Sequence, residues 1–295
     1  MKDINIEEFR VANGITLSDC PTDIPLKESK KEKVKALKRV RKKIAKQQET
    51  MYAHNRYGVL ICLQGMDTSG KDSLIREVFK AFNPRGVVVH SFKTPTSKEL
   101  KHDYLWRHYK ALPEKGKFSV FNRTHYENVL VTRVNKHFLL SENIPGIEKV
   151  EDIPPDFWDK RFEQIIHFEK HLVENGVIVL KFFLHLSKEE QRNRLIRRLV
   201  TEKHNWKFTP SDLAERALWD DYQNCYEEAI NRTSKPFTPW YVIPADNKQT
   251  ARYIVAKIIK ETMKQYSDIR EPELDPAISE NIEMYREKLR MEKDS

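Results

Sequence analysis

The sequence predicts an α/β fold, a parallel sheet covered by helices on both faces. Three observations carry this. Short apolar runs recur without polar alternation, as strands buried on both sides require. Helical stretches separate nearly all of them. Gly58, Gly86, Gly116 and Gly176 each stand just before a run and punctuate the strand starts. In chain order the expected strands are 59–63, 87–92, 118–121, 177–186 and 240–243, with a helical pattern over 71–82 after the first.

The segments around that sheet differ from it. Residues 1–26 mix acids, Asn, Thr and Pro without a sustained period and read as an irregular arm. Between Lys27 and Lys46 stand eleven basic and two acidic residues, a local excess equal to the whole chain's net charge of +9. Such a one-signed segment suits a polyanion. Leu37, Val40, Ile44 and Met51 recur there at helical spacing, so a helix packed by one stripe with a solvated basic face is the competing reading. Residues 192–216 are dense in Arg and Lys and read as a basic helical excursion from the sheet; after residue 268 the periodicity weakens into a peripheral acidic tail. The expected organisation is therefore an arm and basic helix over 1–50, a core over 51–268 and a tail over 269–295.

Composition narrows the function classes. With 33% charged residues and no apolar run near the roughly 18 residues a bilayer crossing needs, no membrane partner is expected. The first residues lack a basic region followed by an apolar one, which points to the cytoplasm. Cys20, Cys62 and Cys225 are odd in number and widely spaced, which fits thiols in a reducing compartment and neither disulfides nor a metal site.

The chemistry concentrates at strand ends. Gly65-Met66-Asp67-Thr68-Ser69-Gly70-Lys71 fits G-x-x-x-x-G-K and sits between a predicted strand and a predicted helix, the context a phosphate-binding P-loop requires. Gly65 and Gly70 let the N–H groups around Thr68 and Ser69 face one concavity at a helix start, and Lys71 adds a mobile cation. Asp72 follows Lys71 where a Ser or Thr normally holds Mg²⁺. Asp67 would face phosphates, which is unfavourable unless a cation lies between them, so Mg²⁺ is expected beside it. The strand that ordinarily ends in a metal-binding Asp ends here in Asn122, leaving Asp67, Glu127 or both to supply the charge. Arg123, next along, should face phosphate at the carboxyl end of the sheet. His125 reads as a positioning residue, because a phosphate acceptor is already anionic near neutral pH and needs no base. Arg194, Arg198 and Lys207 suit closure over a transferring phosphoryl group.

These residues resemble the second family of polyphosphate kinases, over about 38–262. The resemblance rests on GMDTSGKDS (65–73), FKTPTSKEL (92–100), DYLWRHYKALPEKG (103–116), FNRTHYENVLVTRV (121–134), NWKFTPSDLAER (205–216), WDDYQNCYEEAI (219–230) and PWYVIPADNKQTAR (239–252). It implies a P-loop kinase core with a parallel sheet flanked by helices and a basic lid. It implies inorganic polyphosphate as donor and AMP, ADP and ATP as nucleotides, with Mg²⁺ as cofactor and Mn²⁺ as a substitute. It also implies a homo-oligomer, dimer or tetramer, and no nucleic-acid partner. Carried over by position, Asp67, Lys71, Arg123 and Glu127 are catalytic, with Asp67 and Glu127 on the metal. Gly65, Thr68, Ser69, Gly70, Lys71, Arg133, Arg194, Arg198 and Lys207 meet phosphate, and Asn122, Arg123, Glu127 and Asn128 meet the nucleotide. Many members read FDRSWYNR where this chain has FNRTHYEN; the Asn form resembles the class that accepts both nucleoside mono- and diphosphates. Asn128 departs from that class, which often has Asp there. The alternatives are a class restricted to nucleoside diphosphates, an ATP-using nucleotide kinase, and a non-catalytic nucleic-acid binder anchored by 27–46. The resemblance also gives the basic helix a role, guiding a long phosphate chain.

Overall fold

The computed structural model describes residues 4–206 and 208–292. Five strands, β1 (Gly58–Gln64), β2 (Val87–Ser91), β3 (Phe118–Asn122), β4 (Val177–His185) and β5 (Trp240–Pro244), form one sheet. Its order is β2-β3-β1-β4-β5 and every pairing is parallel. Each expected run is a strand to within one residue at either end. β1 and β4 are buried along their whole length, as central strands covered on both faces must be.

Among the described residues the helices of seven residues or more are α1 (Lys30–His54), α2 (Lys71–Val78), α3 (Phe157–Glu174), α4 (Lys188–Val200), α5 (Ser211–Ala217), α6 (Trp219–Thr233), α7 (Lys248–Gln265) and α8 (Ile282–Met291). One apolar cluster joins β1, β4, α2, α7 and α1; a second packs α6 and α3 on the other side of the sheet. α2 stops at Val78, short of the expected 82, because Asn83 and Pro84 open a 3-10 turn, although Phe79 and Phe82 still enter the core.

α1 starts with a Ser29/Glu32 capping box and ends at Asn55 in the left-handed conformation. It runs past residue 50, and its Leu37, Val40, Ile44 and Met51 are buried in the same cluster as the sheet. The apolar stripe is thus a packing surface, as one of the two readings held. The first residues are less irregular than their composition suggests: Val11 N–H donates to the Trp240 carbonyl at 2.9 Å, Arg10 bridges Tyr241, and Phe9 and Leu17 are buried. Ile269 still packs against the core, and residues 270–292 lie almost wholly exposed on the surface. No helix among the described residues is long and apolar enough to cross a membrane.

Candidate active site

The parallel register brings three strand ends together, Leu63 of β1 and Ser91 of β2 each opposite Asn122 of β3. The loop from β1 to α2 turns there. Gly65 has φ +149°, and a Cβ at that position would stand 2.9 Å from the Leu184 carbonyl, so only glycine fits. Thr68 (φ +63°) and Gly70 (φ +106°) are also left-handed, and Ser69 N–H closes the turn on the Met66 carbonyl at 3.0 Å. Lys71, the first residue of α2, folds back so that its ammonium donates to the Gly65 carbonyl at 2.6 Å and to Ser69 Oγ at 3.4 Å. Burial lowers its pKa, with Asp67 pulling the other way.

Arg123 stands between the two predicted metal carboxylates. Its guanidinium lies 3.4 Å from Asp67 and 3.8 Å from Glu127, and all three side chains keep some exposure, 45%, 32% and 22% respectively. Arg123 adopts φ +61°, a strained conformation for a non-glycine residue that costs on the order of 1–3 kcal/mol. Burial raises the Glu127 carboxyl above its ordinary value, against the pull of Arg123 and Gln64. Such a carboxylate gains most from an added cation.

The departures at residues 72 and 122 prove to be one feature. Asn122 Nδ2 donates to Asp72 Oδ1 at 2.7 Å and reaches Ser91 Oγ at 3.4 Å. The carboxylate expected at the strand end has moved to the first turn of α2, and the neutral partner stands on the strand. The sequence carried both substitutions; pairing them required the register of β3 beside β1.

The loop after Asn122 is fixed from behind. His125 and Tyr126 are fully buried, and both meet Glu169 of α3, His125 Nε2 at 3.2 Å and the Tyr126 hydroxyl donating at 2.7 Å. Lys181 of β4 donates to the other Glu169 oxygen at 2.6 Å, Thr238 Oγ1 at 2.9 Å, and Lys181 also reaches the Thr233 carbonyl at 2.8 Å. Burial pushes the Glu169 carboxyl up, but Lys181 and His125 outweigh it and hold it well below the carboxylate range. His125 therefore faces the interior, as a positioning residue does. Neither Glu169 nor Lys181 was singled out from the sequence; a Lys inside an apolar strand, among Val177–His185, was the available signal.

Other expected phosphate ligands are placed differently. Arg194 is buried and spends its donors on Glu190 and on four backbone carbonyls, those of Thr68, Ser69, Ala245 and Asp246, at 2.7–3.0 Å. In this conformation it braces the phosphate loop and offers no free N–H to a ligand. Arg133 pairs with Glu228 of α6 at 2.7 Å and Arg198 with Asp212 of α5 at 2.9 Å. Lys207 lies outside the described residues. Asn128 donates to the His125 carbonyl at 3.0 Å and stands at the edge of a cavity of about 190 Å³ beside Arg123, with Phe92, Lys93, Arg107 and His108 among its walls.

Known proteins resemble this chain along most of its length. The sequence model of the family described as Polyphosphate kinase 2 matches residues 27–271. An ADP-polyphosphate phosphotransferase of Rhodopseudomonas palustris is 43% identical over 97% of this chain and 99% of that protein. An AMP/ADP-polyphosphate phosphotransferase of Meiothermus ruber is 45% identical over 78% and 81% of the two chains. The crystal structure of Polyphosphate Kinase 2 from Arthrobacter aurescens TC1 superposes with a TM-score of 0.83 at 33% identity, covering 95% of this chain and 96% of that one. With the glycine loop between β1 and α2 and the strand ends arranged in this way, and matches of this extent, the chain belongs to the polyphosphate kinase 2 family.

Proposed function

We propose that this protein transfers a phosphoryl group from inorganic polyphosphate to AMP and to ADP, reversibly, at the carboxyl edge of its sheet. The observation that carries the reading is Arg123, held between Asp67 and Glu127 beside the Lys71 loop. Phosphoryl transfer asks the protein for little covalent chemistry; positioning and charge neutralisation supply the rate.

The donor phosphates would lie on the N–H groups of residues 65–70, with the Lys71 ammonium moving from the Gly65 carbonyl to an anion. The acceptor nucleotide would occupy the 190 Å³ cavity, its base against the apolar wall at Phe92 and its phosphate toward Arg107 and Arg123. No general base is required, since the acceptor oxygen is already anionic. Arg123 would neutralise the equatorial oxygens as the phosphoryl group passes between donor and acceptor.

The residues fit a Mg²⁺ ion bound with substrate. Among the described residues no cluster of three or more His, Cys, Asp or Glu could cage a metal, and Mg²⁺ ordinarily uses one or two carboxylates, water and substrate phosphates. Asp67 and Glu127 would hold it, and when bound it offsets phosphate charge. Asn122 and Asp72 together preserve the carboxylate count near the loop; the dual-acceptor reading rests on the Asn form of the 121–128 motif. We also keep 51–268 as the catalytic core with its lid at 192–216, α1 being packed onto it.

The test is incubation with Mg²⁺, AMP and long-chain polyphosphate without ATP, with ADP and ATP separated by chromatography. The expected outcome is ADP followed by ATP, and none from a folded Lys71→Ala variant. ATP formed from ADP with AMP inert would leave the donor and overturn the dual-acceptor reading; no reaction with either would overturn the donor.

A further inference from the structure

Two tyrosines stand one turn apart on α6, and only one of them is engaged. The Tyr222 hydroxyl donates to the Glu215 carboxylate of α5 and accepts from Asn135 Nδ2 at 3.3 Å, in the segment that follows the Arg123 loop. Tyr226 is 6% exposed, and its hydroxyl makes no hydrogen bond with any described residue. A phenol buried to that degree ordinarily finds a partner. The α/β core has no need of an unpaired hydroxyl there, since a Phe would fill the same space at lower cost.

Packing fixes where this hydroxyl stands. The Tyr226 ring centroid lies 4.6 Å from that of Phe183 of β4, and Phe183 is opposite Gln64, the last residue of β1 before the glycine loop. Met66 of that loop belongs to the same apolar cluster. The phenol is thus held at the root of the loop, near enough to the site for its charges to act on it. Burial raises its pKa well above the ordinary value, Glu127 and Tyr222 add to the rise and Arg123 opposes it. The hydroxyl therefore stays protonated near neutral pH. It is a donor that brings no charge to a place where Arg123 already faces two carboxylates.

We propose that Tyr226 is a further catalytic residue, whose hydroxyl donates a hydrogen bond to the phosphoryl group as it passes from donor to acceptor. The inference rests on the phosphoryl-transfer reading above. A transferring phosphoryl group spreads its charge over three equatorial oxygens. Lys71 approaches from the start of α2 and Arg123 from the end of β3, and Tyr226 supplies a donor from a third element. A hydroxyl with no protein partner gives up none when the phosphoryl group arrives, so its bond counts in full where charge develops. No proton changes hands.

Tyr226→Phe removes the hydroxyl and keeps the ring against Phe183. With Mg²⁺, long-chain polyphosphate and AMP or ADP, kcat should fall about tenfold to a hundredfold, with each KM within about twofold of wild type. The variant should melt at or above the wild-type temperature, because an unpaired buried hydroxyl is gone, and the pH profile of kcat should keep its shape. An unchanged kcat would overturn the proposal. A lower kcat together with a lower melting temperature would make the hydroxyl structural and overturn it too. A change confined to KM would mean that the bond forms equally with bound substrate, which removes the catalytic role. Wild-type protein that turns over no polyphosphate with either nucleotide would instead defeat the donor reading, so the two failures are distinguishable.

Discussion

The loop at the end of β3 and the segment over α4 and α5 both bring arginines toward the carboxyl end of the sheet, and the chain supports them by different means. Behind Arg123, the buried Glu169 carboxylate takes hydrogen bonds from four side chains supplied by the loop, β4 and the segment before β5. The lid instead carries Ile196, Leu199, Val200, Trp206 and Leu213 at 46–77% exposure, and its ties are side-chain bonds such as Arg198 to Asp212 and Arg216 to Gln191. A buried network of several charged and polar groups fixes one geometry, while an element with few buried apolar contacts opens at low cost. The difference teaches that the strained Arg123 is fixed from the core, whereas the segment over α4 and α5 leaves much of its apolar surface exposed.

Removing one partner of the buried pair should have the largest effect. Lys181→Met leaves the Glu169 charge uncompensated in the core, at a cost of about 3–5 kcal/mol, read as a fall in the urea midpoint. A loss below about 1 kcal/mol would mean the loop is held by something other than this pair.

Glu127 sharpens the contrast from within the preorganised half. Its folded pKa is raised by burial, so the stability this group contributes is full below the unfolded carboxylate range and is lost as pH rises through the folded value. Glu127→Gln removes that loss. The variant should melt at or above the wild-type temperature near pH 8, with the advantage shrinking toward pH 4, while turnover collapses. A variant that melts lower at every pH would make Glu127 a structural residue.

The smallest stability effect belongs to the lid. Leu213 is 55% exposed, so Leu213→Ser should stay within about 0.5 kcal/mol of wild type, while turnover falls as the proposed closure of this segment over substrate requires. A drop of about 2 kcal/mol or more would place the lid inside the cooperative core and erase the comparison.

Much of this site was legible before the fold. Gly65, Asp67, Gly70 and Lys71 are a local pattern, and the apolar run ending at Asn122 located Arg123 and Glu127 beyond a strand end. Arg194 was legible only as a cation. That it braces the loop depends on carbonyls of residues 68, 69, 245 and 246, and a carbonyl acceptor leaves no mark on residue identity. The Asp72–Asn122 exchange was visible as two departures and not as a pair, since 50 residues separate them.

What the sequence by itself determined is the set of strands, the glycine loop and the cations near it, because apolar period, glycine placement and charge are properties of short segments; that β2 lies exposed at the sheet edge and not buried was not readable there. Only the tertiary structure decided which distant side chains meet: Glu169 with Lys181 behind the loop, Asn122 with Asp72 in front of it, and Lys33 with Thr250 of α7. Strand order and register set those meetings, and both follow from packing the whole sheet at once.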